Sequence, residues 1–82
     1  MALSRSQAMV LGALAQGEPL TTQELSIWTG LAATTARVAA TSLAYDGWAS
    51  STDGVPTYWQ ITDHGSRLAA TRPYREYRTA NA

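Results

Sequence analysis

At 82 residues the chain has length for one domain with a modest core. It has no Cys and a single His, which excludes a disulfide framework and a thiolate metal site, and one His cannot assemble a zinc site by itself. Six Arg balance six acidic residues and no Lys occurs, but the balance is uneven along the chain. From 1 to 66, Arg5 and Arg37 stand against Glu18, Glu24, Asp46, Asp53 and Asp63; from 67 to 82, Arg67, Arg72, Arg75 and Arg78 stand against Glu76 alone. The body is mildly acidic and the end is basic. For a nucleic-acid binder that is unusual, because neutralising phosphates normally requires a basic face. The lack of Cys fits a cytoplasmic protein, and no stretch approaches transmembrane length, so no membrane partner is expected.

The first residues, MALSRSQAMVLGALAQG, place one Arg before an apolar run and contain Ala13-Leu14-Ala15, features shared with a secretory signal. The run is short and interrupted by Gly12, and its removal would delete an amphipathic helix that the next elements need. Ser4 and Gln7 have capping-box spacing, with Leu3 ahead as a staple, so a helix is expected over 5–16, stopping at Gly17. Val10, Leu11 and Leu14 face inward, with Ala8 or Met9 at the edge. Glu18-Pro19 breaks the helix, and Leu20 is a lone buried residue in an extended segment placed to bridge to a later hairpin.

Residues 21–48, TTQELSIWTGLAATTARVAATSLAYDGW, predict two helices separated by a break at Trp28-Thr29-Gly30-Leu31. Thr21 and Glu24 form a second capping box, and Gly30 supplies a backbone on which a helix can stop and turn. The second helix of the pair spans about 33–46 and ends at Gly47. Ala36, Ala40 and Leu43 make its narrow buried stripe, with Ala39 at the flank. Its other face carries Thr34, Thr35, Arg37, Val38, Thr41 and Ser42: short hydroxyls, one guanidinium and one methyl-bearing side chain, which suit close approach to base edges. In the first helix of the pair, if Leu25 and Thr29 face the core, Ile27 points away and Trp28 lies at the boundary. Either these two mark a dimer or partner surface, or the first helix of the chain or its end covers them, with Tyr74 and Tyr77 as candidates.

After Gly47 the period alternates. Trp48-Ala49-Ser50-Ser51 and Thr57-Tyr58-Trp59-Gln60-Ile61 read as strands around an Asp53-Gly54 turn, with Trp48, Trp59 and Ile61 inward and Tyr58 and Gln60 outward. Thr62 caps a short helix through about residue 70, anchored by Leu68 and ended by Pro73. Residues 71–82 place Arg between Tyr residues and are alone too short and polar to fold stably. They read as a flexible basic Arg/Tyr tail following a domain over 1–70. The tail is either simply solvated or engaged with nucleic acid or a partner subunit.

The order helix, extended segment, helix, turn, helix, hairpin, helix resembles the winged helix-turn-helix domain of MarR- and PadR-type bacterial regulators. Four phrases carry the likeness: Thr22-Gln23-Glu24-Leu25 with Thr29-Gly30-Leu31; Thr34-Thr35-Ala36-Arg37; Leu43-Ala44-Tyr45-Asp46-Gly47-Trp48; and Tyr58-Trp59-Gln60-Ile61-Thr62-Asp63-His64-Gly65. The resemblance implies an α+β, mainly α fold of three helices, a hairpin wing and a short final helix. It makes the helix over 33–46 the recognition helix. The wing departs from the family's DNA-binding pattern: it has no Arg or Lys and carries Asp53 at its tip.

Together these readings give site-specific binding of double-stranded DNA by a small, repressor-like transcriptional regulator of phage or plasmid type, working as a homodimer or cooperatively. Thr34, Thr35, Arg37, Val38, Thr41 and Ser42 would enter the groove, while Thr22, Gln23, Arg72, Arg75 and Arg78 would meet phosphates. The alternatives are a winged-helix protein–protein interaction module that uses the same helix, and an excision-type DNA-architectural accessory factor. Asp63-His64-Gly65-Ser66 holds the residue types of a hydrolytic triad, but neighbours on one helical turn cannot adopt its geometry, so no catalysis is expected. No cofactor, metal or small-molecule ligand is indicated.

Overall fold

In the computed structural model the described residues run from 2 to 80, with side chains described from 2 to 77. The elements are α1 (Arg5–Leu14), β1 (Leu20–Thr21), α2 (Thr22–Thr29), α3 (Ala33–Tyr45), β2 (Ala49–Ser51), β3 (Tyr58–Ile61), α4 (Asp63–Ala69) and α5 (Arg72–Ala80). Both expected capping boxes form. The Ser4 and Thr21 hydroxyls accept from the Gln7 and Glu24 amides, and the Gln7 and Glu24 side chains accept from the Ser4 and Thr21 amides. Each box satisfies two of the donors a helix start leaves open.

The three strands form one antiparallel sheet in the order β1-β3-β2. Leu20 pairs with Trp59, which turns the expected bridge into the third strand, and Ala49 and Ser51 pair with Ile61 and Trp59. Val10, Leu11, Leu14, Leu25 and Leu43 are fully buried at the centre, where α1 meets α2 and α3, with Trp59 closing the sheet side. The buried side of α3 is mostly alanine, Ala36, Ala39 and Ala40 with Leu43, so this helix lies close to its neighbours.

Four expectations need correction. The break between α2 and α3 is shorter than the spacing suggests: α2 runs through Thr29 and only 30–32 separate the helices, because the helix ends at Gly30, left-handed and with its amide still bonded to the Ser26 carbonyl. On the first wing strand the inward residue is Ala49, not Trp48. Register with Ile61 fixes this, and Trp48 sits half-buried just before the strand, its ring edge-on to His64 at 6.5 Å. In α4 the buried pair is Gly65 and Ala69, with Leu68 half-buried at the flank. The cause is close approach, since a Cβ built on Gly65 would fall on the Trp48 carbonyl and against Ile61. Finally, residues 72–80 are not a flexible tail but helix α5, docked on α1. Pro73 costs α5 nothing in its first turn, where no amide is needed. Tyr74 and Tyr77 are half-buried while Arg72, Arg75 and Glu76 are exposed, and the Tyr74 hydroxyl accepts from the Leu3 amide at 2.9 Å. Docking supplies the apolar contact that so short a helix lacks in isolation.

The fit of α4 against the wing gives a direct check. Gly65→Ala should destabilise the fold by about 1–3 kcal/mol, the usual cost of forcing extra volume into a packed site. Thermal denaturation would read this, and an unchanged midpoint would mean that the helix and the Trp48 backbone are not in close contact.

Candidate nucleic-acid interface

The geometry of the candidate site begins in the turn before it. Gly30 adopts φ 76°, a left-handed conformation that glycine enters without penalty. Thr29 is buried, donates its hydroxyl to the Leu25 carbonyl at 2.7 Å and accepts from the Leu31 amide at 3.2 Å. The Ser26 hydroxyl donates to the Leu31 carbonyl at 2.6 Å. Three residues of turn are thereby tied to the end of α2, which fixes the direction in which α3 leaves.

With Ala36, Ala39, Ala40 and Leu43 inward, Thr34, Thr35, Arg37, Val38 and Thr41 are exposed and Ser42 is half-exposed. Neither the hairpin nor α5 covers this face. Between it and the start of α1 lies an open hollow of about 320 Å³, lined on one side by Thr34, Thr35, Val38 and Ser42 and on the other by Ser4, Ser6 and Gln7. The hydroxyls of Thr34, Thr35 and Ser42 and the Arg37 guanidinium make no hydrogen bond or ion pair among the described residues, so their donors are available to a ligand. Thr41 differs. Its hydroxyl donates to the Arg37 carbonyl at 2.7 Å, leaving a methyl and acceptor lone pairs on the outward side.

Two features of this face escape sequence reasoning. Unlike α1, α2 and α4, α3 begins without a side-chain cap, Ala32 standing at the position, and its first turn holds no acidic residue. Its opening amides and the positive end of its dipole are therefore free toward solvent. A missing cap is visible in sequence only once the helix boundary is known. The second feature is Tyr45, the last residue of α3, which is 91% exposed.

The expected phosphate and partner residues are dispersed. The Thr22 hydroxyl accepts from the Trp59 indole at 3.0 Å and so ties α2 to the sheet, while Gln23 is exposed. The Glu24 carboxylate, engaged with the Thr21 amide, brings a negative charge to this same helix start. Arg72 and Arg75 are exposed on α5, and the Arg78 side chain lies outside the described residues. Ile27 is 81% and Trp28 39% exposed, so neither α1 nor α5 covers them. Tyr74 and Tyr77 belong instead to the half-buried side of α5. The wing tip presents Asp53 and a fully exposed Val55 and no cation.

No family model matches the chain, and no curated protein matches it. A solved structure of a transcriptional regulator from Thermotoga maritima is similar to it, with a TM-score of 0.74 over 95% of this chain. The fold is a winged helix-turn-helix. The likeness is one of fold, at 23% sequence identity, and the chain spans 56% of the regulator's length. Within this winged helix-turn-helix, α2 and α3 are the helix-turn-helix pair and β2 and β3 the wing. No helix among the described residues is long and apolar enough to cross a membrane.

If the Thr29 hydroxyl fixes the angle of α3, Thr29→Val removes two buried hydrogen bonds at nearly constant volume and leaves the Leu31 amide without its acceptor. A loss of about 1–3 kcal/mol is expected in chemical denaturation. A variant as stable as the parent would show that packing alone sets the angle.

Proposed function

We propose that this chain binds double-stranded DNA site-specifically through α3 and acts as a small transcriptional regulator, with no enzymatic activity. The observation that carries the reading is the bare outward face of α3, whose donors have no partner within the described chain. The kinship of fold with a protein described as a transcriptional regulator supports it. On this reading Arg37 reaches a guanine edge or a phosphate, Val38 and the Thr41 methyl meet thymine methyls, and Thr34, Thr35 and Ser42 donate to phosphates or bases. The uncapped amides of α3 favour an anion at the same end.

The electrostatics argue for two copies. Arg37 is the one cation on the face, the wing adds none, and a monomer that neutralises so few phosphates binds weakly. A cytoplasmic, repressor-like homodimer, joined through the exposed Ile27 and Trp28, would double the contacts. Arg72 and Arg75 would contact backbone phosphates from the surface of a docked helix rather than as a loose arm, and Arg78, its side chain outside the described residues, is a phosphate contact proposed from sequence alone. Thr22 and Gln23 contribute less than their position suggests, because the Glu24 carboxylate shares their helix start.

The cation-free, Asp-tipped wing favours one other reading, a protein-interaction module that uses the small residues of α3 for close packing. Selection from random duplex oligonucleotides at low and moderate salt separates the two. DNA binding yields an enriched motif. No motif at either salt, together with one stoichiometric protein partner, would establish the interaction module instead.

On the selected duplex, Arg37→Ala should cost about 1–3 kcal/mol and relax preference at one position. Replacing Arg72 and Arg75 by Ala should weaken binding to all sequences alike and lower the slope of log K against log salt by about 2 in total. Fluorescence anisotropy across a salt series reads both. Truncation after Ala70 is a poorer probe, because it also removes α5 from α1 and should lower the thermal midpoint.

A further inference from the structure

Tyr45 has no structural task. It is 91% exposed, ends α3, and its hydroxyl makes no hydrogen bond among the described residues. Yet Thr34, Val38, Thr41 and Tyr45 follow one another at spacings of four, three and four, which places all of them on one line along the outward face. At 1.5 Å per residue, Tyr45 stands about 16 Å along the helix axis from Thr34, whereas the major groove is about 12 Å wide. A helix that sets its first turn against base edges therefore carries its last residue out of the groove to the level of the phosphates. The hydroxyl of the neighbouring Thr41 is committed to the Arg37 carbonyl, so no other side chain of this line beyond Thr34 has a donor to offer there. Asp46, the exposed acid next in sequence, is off this line. It lies about 100° further round the helix by the periodicity and lines a separate hollow with Ala2, Leu3, Gln7 and Trp48.

We propose that Tyr45 is a second DNA anchor at the far end of α3, its phenol O–H donating to a backbone phosphate that flanks the recognised bases. This rests on the DNA-binding reading above and adds to it a contact that fixes the register of α3 without reading sequence. Because the phenol is neutral, the contact releases no counterion, which separates it from any contact made by an arginine.

The test compares the full-length protein with Tyr45→Phe and Tyr45→Ala on the selected duplex and on a scrambled duplex, by fluorescence anisotropy over a salt series, with thermal midpoints measured alongside. Tyr45→Phe should weaken binding to both duplexes by a similar factor, on the order of tenfold, as for loss of one hydrogen bond to a charged group. Tyr45→Ala should lose about as much, with the salt slope and the midpoints unchanged. Parental affinity for Tyr45→Phe overturns the assignment while leaving DNA binding in place. So does a loss confined to the selected duplex, which would mean base reading, or a loss seen with Ala but not Phe, which would mean ring packing. If the parent protein binds neither duplex, the DNA-binding reading itself fails and this assignment falls with it.

Discussion

The buried hydroxyl of Thr29 is the constraint on which the usable surface of this molecule depends. It serves the helix behind it through the Leu25 carbonyl and the turn ahead of it through the Leu31 amide. Gly30 allows the chain to change direction between the two. A buried polar group holds its place only when its hydrogen bonds are made, so the turn has few alternatives of comparable energy. Since α3 leaves the turn in one direction, its alanine side settles against α1 and α2. Leu43 is buried with the alanines, and the other larger or polar residues of the helix are left pointing outward.

Charge is distributed in a way that this geometry makes intelligible. Acidic residues are scattered over the body and the wing tip, whereas the exposed face of α3 holds one guanidinium and several neutral donors. Such a face gains little from long-range attraction and much from close fit, which shifts discrimination toward short-range contacts with base edges and phosphate oxygens. Arg72 and Arg75 sit on a helix folded against α1, so their place on the surface is set by that docking. A loose arm would have had to pay for ordering on each encounter with a partner; a docked helix has already done so.

The helical half of the fold was readable from residue types because its signals are local. Capping boxes at Ser4 and Thr21, the glycine after α2 and the alanine stripe of α3 each act within a few residues of themselves. What escaped the reading depends on residues far apart in sequence. Ala49 rather than Trp48 faces inward because its partner across the sheet is Ile61. Gly65 displaces Leu68 from the centre of the α4 contact because the Trp48 carbonyl lies against it. Residues 72–80 look too polar to fold, and become helical because α1 offers their tyrosines a surface. Within the site, the outward set of α3 followed from periodicity, whereas the internal commitment of the Thr41 proton and the exposure of Tyr45 required coordinates.

The hydrogen bond between the Leu3 amide and the Tyr74 hydroxyl joins groups 71 positions apart. During synthesis the first helix is therefore made well before the surface that shelters one of its sides. Until residues 72–77 have been made that flank of α1 waits uncovered, and a contact closed over so long a loop forms only after the cost of closing the loop has been met.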